Sequence, residues 1–132
     1  MKNQFLIAAL VVIATLFTSN TSLAQVKEKN VTLIDLTQTE NEFNVKGLSL
    51  KPGKYQFRIT NINVNKDLGF VIQKASDKDN DVMKTAIENS FTIAPISKGD
   101  TQLTGIVELK EGEYIYSCPL NPTPKYNITV KK

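Results

Sequence analysis

Histidine is absent from this chain of 132 residues, and cysteine occurs only once, as Cys118. Without histidine the chain has no Ser–His or Cys–His nucleophile pair, no histidine zinc ligand and no usual general base for neutral pH. A single cysteine excludes a disulfide within the chain and a four-cysteine metal site. No pair of carboxylates is placed for acid–base work either, so the sequence predicts that the protein is not an enzyme.

Tryptophan is also absent, and Arg58 is the only arginine among 16 basic residues. The formal net charge is +3, and the positive and negative side chains are interspersed along the chain. A nucleic-acid-binding surface needs a basic stripe, commonly with interleaved aromatic residues, and the sequence has none. Nucleic acid is therefore not an expected partner, and the sequence names no other.

The first 24 residues have the three parts of a cleavable signal peptide. Lys2 supplies the positive charge, residues 5–17 form an apolar run, and Ser22-Leu23-Ala24 places small residues at the cleavage positions. The apolar run is too short to span a membrane, which takes about 20 residues. No later run is long enough either. We therefore expect residues 25–132 to form a single extracytoplasmic domain, periplasmic or secreted, with no membrane span.

After the signal peptide, apolar residues mostly alternate with polar ones, which is typical of strands with one buried face. The clearest case is Tyr55, Phe57 and Ile59, with Gln56, Arg58 and Thr60 facing the other way. The same reasoning predicts a first strand that starts at Val31, with Leu33 and Leu36 inward. It predicts further strands at residues 42–50, 69–73, 92–96, 102–109, 114–118 and 126–130. Short strands in this number predict a Greek-key β-sandwich or barrel.

The one predicted helix is a short insertion at residues 81–89. Its inward side is expected to carry Val82, Ala86 and Met83, and Asp79 or Asp81 is expected to cap it. The acidic spacing of Asp77, Asp79, Asp81 and Glu88 matches a calcium loop of the EF-hand kind. However, the glycine required at the sixth position is Val82, which resists the positive φ angle of the turn. The sequence therefore predicts no calcium site.

Several segments, in this order, resemble the cupredoxins, which have the plastocyanin-like blue-copper fold. Residues 50–57 (LKPGKYQF) resemble the pattern L-x-P-G-x-Y-x-F, and Asn61 followed by residues 69–72 (GFVI) resembles the family's T-N and H-N-F-V-I segments. Residues 111–119 (EGEYIYSCP) resemble P-G-E-Y-x-Y-x-C, and residues 126–130 (YNITV) resemble the closing strand. The resemblance implies a cupredoxin-like fold over roughly residues 43–130.

The copper ligands implied by the resemblance are incomplete. A type-1 site uses two histidines, a cysteine thiolate and usually a weak methionine. Cys118 stands at the cysteine position, but Leu68, Asn121 and Tyr126 stand at the two histidine positions and the methionine position. The resemblance therefore implies a degenerate or lost copper site and argues against the usual electron-transfer role.

Cys118 can be interpreted in several ways. A free cysteine is most often a small buried apolar side chain. An intermolecular disulfide, a redox thiol or a soft-metal ligand are the functional alternatives. The sequence favours a non-enzymatic binding or interaction module with no cofactor. The alternative is a copper-binding or electron-transfer protein that uses Cys118 with non-standard ligands such as Met83, Asn121 or Tyr126.

Overall fold

The structure is a computed structural model, and it describes residues 30–132. The predicted signal peptide therefore lies outside the described residues. Nine strands, a 3-10 turn at Ala75–Asp77 and one helical turn, α1 (Val82–Thr85), make up the regular structure of this part. The strands are β1 (Val31–Thr39), β2 (Glu42–Phe43), β3 (Leu48–Leu50), β4 (Gly53–Asn61), β5 (Val71–Lys74), β6 (Thr101–Leu103), β7 (Val107–Leu109), β8 (Gly112–Ser117) and β9 (Tyr126–Val130).

The strands form two sheets, which confirms the predicted all-β sandwich with a short helix insertion. The first sheet has the order β2-β1-β4-β6, with β7 also paired to β4, and the second has the order β3-β9-β8-β5. Strands β1 and β4 are parallel, as are β3 and β9, while the other pairs are antiparallel. The chain passes from the first sheet to the second between β2 and β3, at Gly47, whose φ is 144°.

The core lies between the two sheets and is rich in aromatic rings. Phe57 stacks on Phe70 with 5.1 Å between the ring centroids. Phe43 meets both Phe70 and Tyr116 edge to face, at 5.9 and 5.4 Å. Edge-to-face and stacked pairs of this kind add about 0.5–1.5 kcal/mol each beyond the burial of their apolar area. The rings therefore join strands of both sheets, and they lie directly below the segment that carries Cys118.

The predicted alternation in β4 is confirmed, and in β1 the prediction is right for Leu36 and wrong for Leu33. Tyr55, Phe57 and Ile59 are buried as expected. In β1, Leu33 is 44% exposed, whereas Leu36 and Gln38 are buried. The parallel pairing with β4 sets the register of β1, and an apolar residue at Leu33 does not by itself reveal which face is covered.

Two further segments differ from the sequence prediction. Residues 92–96 form single bridges, Thr92 to Thr104 and Leu68 to Ile96, rather than a strand. Residues 102–109 form two strands, β6 and β7, because Thr104 interrupts the ladder: its hydroxyl accepts a hydrogen bond from the Phe57 N–H at 3.1 Å. Both differences come from contacts with residues far away in the chain.

The helix insertion is shorter than predicted. Helix α1 spans only Val82–Thr85, and Asp81 caps it by accepting a hydrogen bond from the Met83 N–H at 2.8 Å. Met83 was expected to face inward, but its side chain is 71% exposed. After α1 the chain returns along β5, where the Ile87 N–H donates to the Ile72 carbonyl at 2.8 Å. The insertion therefore covers the edge of the second sheet, which would otherwise have free pairing groups.

Candidate metal centre

The candidate site is built at the end of the sandwich where β8 gives way to the loop before β9. Cys118 follows β8 directly and is 7% exposed, in keeping with the buried thiol of the simplest interpretation. Its Sγ accepts a hydrogen bond from the Gly69 N–H at 3.3 Å. This contact ties the sulfur of Cys118 to the backbone of a segment that is distant in the sequence.

Gly69 allows the segment before β5 and the loop after Cys118 to approach each other closely. A Cβ atom added at this residue would lie 3.4 Å from two ring carbons of Pro119 and 3.7 Å from a methyl carbon of Leu120. Contacts at 3.4 Å are at the tight end of ordinary packing. The absence of a side chain at Gly69 therefore lets the loop after Cys118 settle on the segment that precedes β5.

A hydrogen bond closes the loop that carries Cys118. The Cys118 N–H donates a hydrogen bond to the Thr123 Oγ1 at 3.1 Å. Asn121 lies inside this closed loop and is only 1% exposed. The same short loop therefore carries two buried side chains, those of Cys118 and Asn121.

Asn121 is the most unusual residue of the loop. Neither its side-chain nitrogen nor its side-chain oxygen has a hydrogen-bond partner among the described residues. Leaving a buried polar group without a partner costs about 1–3 kcal/mol. Native proteins leave few such groups, and each requires an explanation such as a bound ion or water. Asn121 is therefore a buried donor group without a partner, three residues after Cys118 in the chain.

The side chains at the other two predicted ligand positions, Leu68 and Tyr126, belong to the core. Leu68 is fully buried, and its backbone makes two hydrogen bonds with Ile96, at 3.0 and 2.8 Å. Its aliphatic side chain has no atom that binds a metal. Tyr126 lies opposite Tyr116 in the β8–β9 ladder, with 5.4 Å between the ring centroids, and Lys46 lies 5.5 Å above its ring. The ring contacts of Tyr126 are thus those of the aromatic core.

Asn61 fixes the loop on the opposite side of the site. It is fully buried, and its amide nitrogen donates to the carbonyl oxygens of Val64, Lys66 and Ile96 at 3.1–3.2 Å. Its side-chain oxygen accepts from the Val64 N–H at 2.9 Å. The sequence identified Asn61 only as part of a motif. An asparagine at the end of an alternating strand, followed by a polar loop, is the signal for this role.

Gln38 is a second buried amide that sequence reasoning did not find. Both of its side-chain polar atoms lack partners among the described residues. Its neighbours in strand register are Phe43 and Asn61, so no thiol or thioether is paired with it. We therefore do not include Gln38 in the candidate site.

An apolar groove of about 360 Å³ runs over the residues that cover the thiol. Leu68, Gly69 and Pro119 line one part of it, and Met83, Ile93 and Leu120, all largely exposed, line another. Met83 thus places a thioether on the same groove. The groove is the most apolar depression around the site, and no charged residue lines it.

The four acidic residues of the suspected calcium loop are not brought together. Asp81 caps α1, and Asp77 accepts a hydrogen bond from the Asn80 side chain at 2.9 Å. Within residues 30–132 no group of three or more His, Cys, Asp or Glu side chains could hold a metal ion. Any metal at Cys118 must therefore be held by the thiol together with other kinds of donor.

The architecture is that of a cupredoxin-like fold. Solved structures with this fold include auracyanin B, with a TM-score of 0.60, 16% identity and coverage of 81% of this chain and 94% of that one. Auracyanin A, a "blue" copper protein from Chloroflexus aurantiacus, has a TM-score of 0.61, 13% identity and coverage of 76% and 99%. Dithionite-reduced auracyanin from Roseiflexus castenholzii has a TM-score of 0.59, 15% identity and coverage of 76% and 98%.

No family model matches the sequence. No curated protein matches it either. The similarity to solved structures confirms the predicted cupredoxin-like fold. The prediction that the domain has no cofactor is wrong, because auracyanin A, which has the same fold, is a "blue" copper protein. That prediction assumed that losing the histidines removes the metal, whereas the alternative, copper held by Cys118 with non-standard ligands, does not need them.

The residues present fit a soft copper ion with non-standard ligands, but they do not fit a type-1 copper site. A type-1 trigonal site is excluded, since it needs two imidazoles and the chain has no histidine. A buried thiol with a hydrogen-bonded sulfur, in the same loop as a buried amide with no protein partner, fits a soft copper ion with non-standard ligands. Neither helical segment in residues 30–132 has the length and apolarity that crossing a bilayer requires.

Proposed function

We propose that the protein is an exported, non-enzymatic copper-binding protein, with Cys118 as the anchoring ligand and Asn121 as the second donor. The signal-peptide pattern of residues 1–24 supports export, and the copper proteins with the same fold support the choice of metal. The absence of histidine in the whole chain supports a non-enzymatic role. Domain boundaries at residues 25–132 form part of the proposal.

One observation carries the proposal: the side chain of Asn121 is buried without a partner in the loop closed by the hydrogen bond between Cys118 and Thr123. Apolar side chains would be more stable at such a position, since an unpartnered buried amide costs free energy. A metal ion at Cys118 gives the amide oxygen a partner and offsets that cost. Neither a simple buried thiol nor an interaction module needs an asparagine there.

Each residue has a separate part in holding the ion. Cys118 supplies the thiolate, and the Gly69 N–H donates a hydrogen bond to its sulfur. Asn121 supplies a neutral amide oxygen, while Leu68 and Pro119 keep water away from the sulfur. Asn61 holds the loop before Leu68 in place. Bound copper would supply a soft cation that the protein can carry.

The test is an anaerobic copper titration of the purified, reduced protein against a chelator of known affinity. We expect one copper per chain, no binding to Cys118→Ala, and binding weakened at least roughly tenfold (about 1.4 kcal/mol) in Asn121→Leu. Tyr126→Phe is the matched control: it keeps the aromatic packing and should bind as the wild type does. Failure of the wild type to bind at micromolar copper, or full binding by Cys118→Ala, would contradict the proposal.

A further inference from the structure

The charge balance of the candidate site is set by one group. Cys118 is the only residue of the site that becomes negative on binding a metal, since Leu68, Gly69, Pro119 and Asn121 are neutral. The site therefore offers a single negative charge.

A single thiolate balances Cu(I) but not Cu(II). With Cu(I) the pair has no net charge, whereas with Cu(II) one positive charge remains. Cys118 and Asn121 are nearly inaccessible to water, and the groove lined by Gly69, whose N–H contacts the sulfur, has no charged residue. A net charge in such surroundings costs far more than in water unless it is paired. Burial therefore favours the monovalent ion.

The kinds of donor atom favour the same ion. Thiolate and thioether sulfur select Cu(I), while Cu(II) prefers imidazole nitrogen and a tetragonal arrangement of N and O ligands. The chain offers no imidazole. Its second sulfur near the site is the thioether of Met83, 71% exposed on the groove that leads over Leu68, Gly69 and Pro119. A soft donor at the mouth of an apolar groove suits a monovalent soft ion and not a hydrated divalent one.

We propose that the site takes copper only as Cu(I), and that the protein carries this ion instead of cycling it between two oxidation states. This inference rests on the proposed function, because it concerns the same two residues. It extends that function by naming the oxidation state of the ion. Ag(I), which has the same charge and similar softness, should bind in the same way.

The experiment compares Cu(I), Ag(I) and Cu(II) on the reduced protein under argon, by native mass spectrometry and by alkylation of Cys118. We expect Cu(I) and Ag(I) each to bind once per chain and to slow alkylation at least tenfold. Cu(II) should bind at least 100-fold more weakly. Oxidation of the Cu(I) form with ferricyanide should release the metal and leave no visible thiolate-to-copper band. Cys118→Ala is the reference without the anchoring ligand.

The two claims fail in different ways. A Cu(II) form that is stable, shows a visible band absent from Cys118→Ala and can be reduced and reoxidised would overturn the Cu(I) inference, while copper binding through Cys118 would stand. Absence of binding by Cu(I), Ag(I) and Cu(II) alike would overturn the proposed function itself. Binding of Ag(I) without protection of Cys118 would overturn both.

Discussion

The Tyr116 hydroxyl donates a hydrogen bond to the Val45 carbonyl oxygen at 2.6 Å and accepts one from the Gly47 N–H at 3.1 Å. These two bonds connect β8 to the stretch where the chain crosses from the first sheet to the second. Tyr116 is completely buried, and burial raises the pKa of its phenol to about 12. The hydroxyl therefore stays neutral and keeps its two hydrogen bonds to the segment that passes from one sheet to the other.

This arrangement predicts a loss of stability in alkaline solution. The folded protein holds the Tyr116 proton more tightly than the unfolded chain, whose phenol has a pKa of about 10. The stabilisation is thus fully present below about pH 10 and is lost as the pH rises through about 12. Denaturation measured across this range should give a steeper fall in the free energy of unfolding for the wild type than for Tyr116→Phe.

The same variant has a second expected effect at neutral pH. Tyr116→Phe leaves the Val45 carbonyl and the Gly47 N–H without their partner, so it should lower the free energy of unfolding by about 1–3 kcal/mol. Equal slopes for the wild type and Tyr116→Phe between about pH 10 and 12 would contradict the assignment of the titration to this residue.

Asn121→Leu should make the metal-free protein more stable, by up to about 1–2 kcal/mol, because it removes two unpartnered polar atoms from a buried position. Asn61→Leu is the matched control. It makes the same change at a buried asparagine whose amide is fully bonded, and it should destabilise the protein by several kcal/mol. Urea denaturation measures both. Similar losses in the two variants would show that the Asn121 amide has a structural partner.

Gly105→Ala should destabilise the fold, because the new Cβ would lie 2.9 Å from the Asn89 Cβ and the segment must shift. Overpacking of this kind costs about 1–3 kcal/mol. Gly53→Ala is the control, since its Cβ would meet only a Tyr55 ring carbon at 3.9 Å and should change stability by less than about 0.5 kcal/mol. Thermal melting compares them, and equal melting temperatures would contradict the close packing of Gly105.

Asp81→Ala should lower stability by about 1 kcal/mol through loss of the cap on α1. Asp79→Ala, an exposed residue of the same loop that does not cap the helix, should have little effect. Calcium should shift the melting temperature of neither variant nor of the wild type. A calcium-dependent stabilisation that Asp79→Ala removes would instead support a calcium loop.

The sequence predicted those parts of the fold that depend on neighbouring residues. The alternation from Tyr55 to Ile59 belongs to this group. The exposed position of Leu33 in β1 and the division of residues 102–109 were not predictable, because pairing with β4 determines both. Such pairing depends on contacts between residues far apart in the chain.

In the candidate site, too, the sequence predicted what depends on its motifs and not what depends on distant contacts. The position of Cys118 followed from the order of the motifs, but its sulfur contact with Gly69 depends on how two distant segments meet. Asn121 was identified as the residue in place of a histidine and as one of several alternative ligands. Its burial without a partner, which makes it a donor, can be found only when the loop is seen to close on Thr123.

The central claim is that copper is held through Cys118, and X-ray absorption at the copper edge tests it most directly. The Cu(I)-loaded wild type should show at least one sulfur neighbour at the metal, and Cys118→Ala prepared in the same way should retain no stoichiometric copper. A metal surrounded only by oxygen and nitrogen atoms, or full copper loading of Cys118→Ala, would contradict the account.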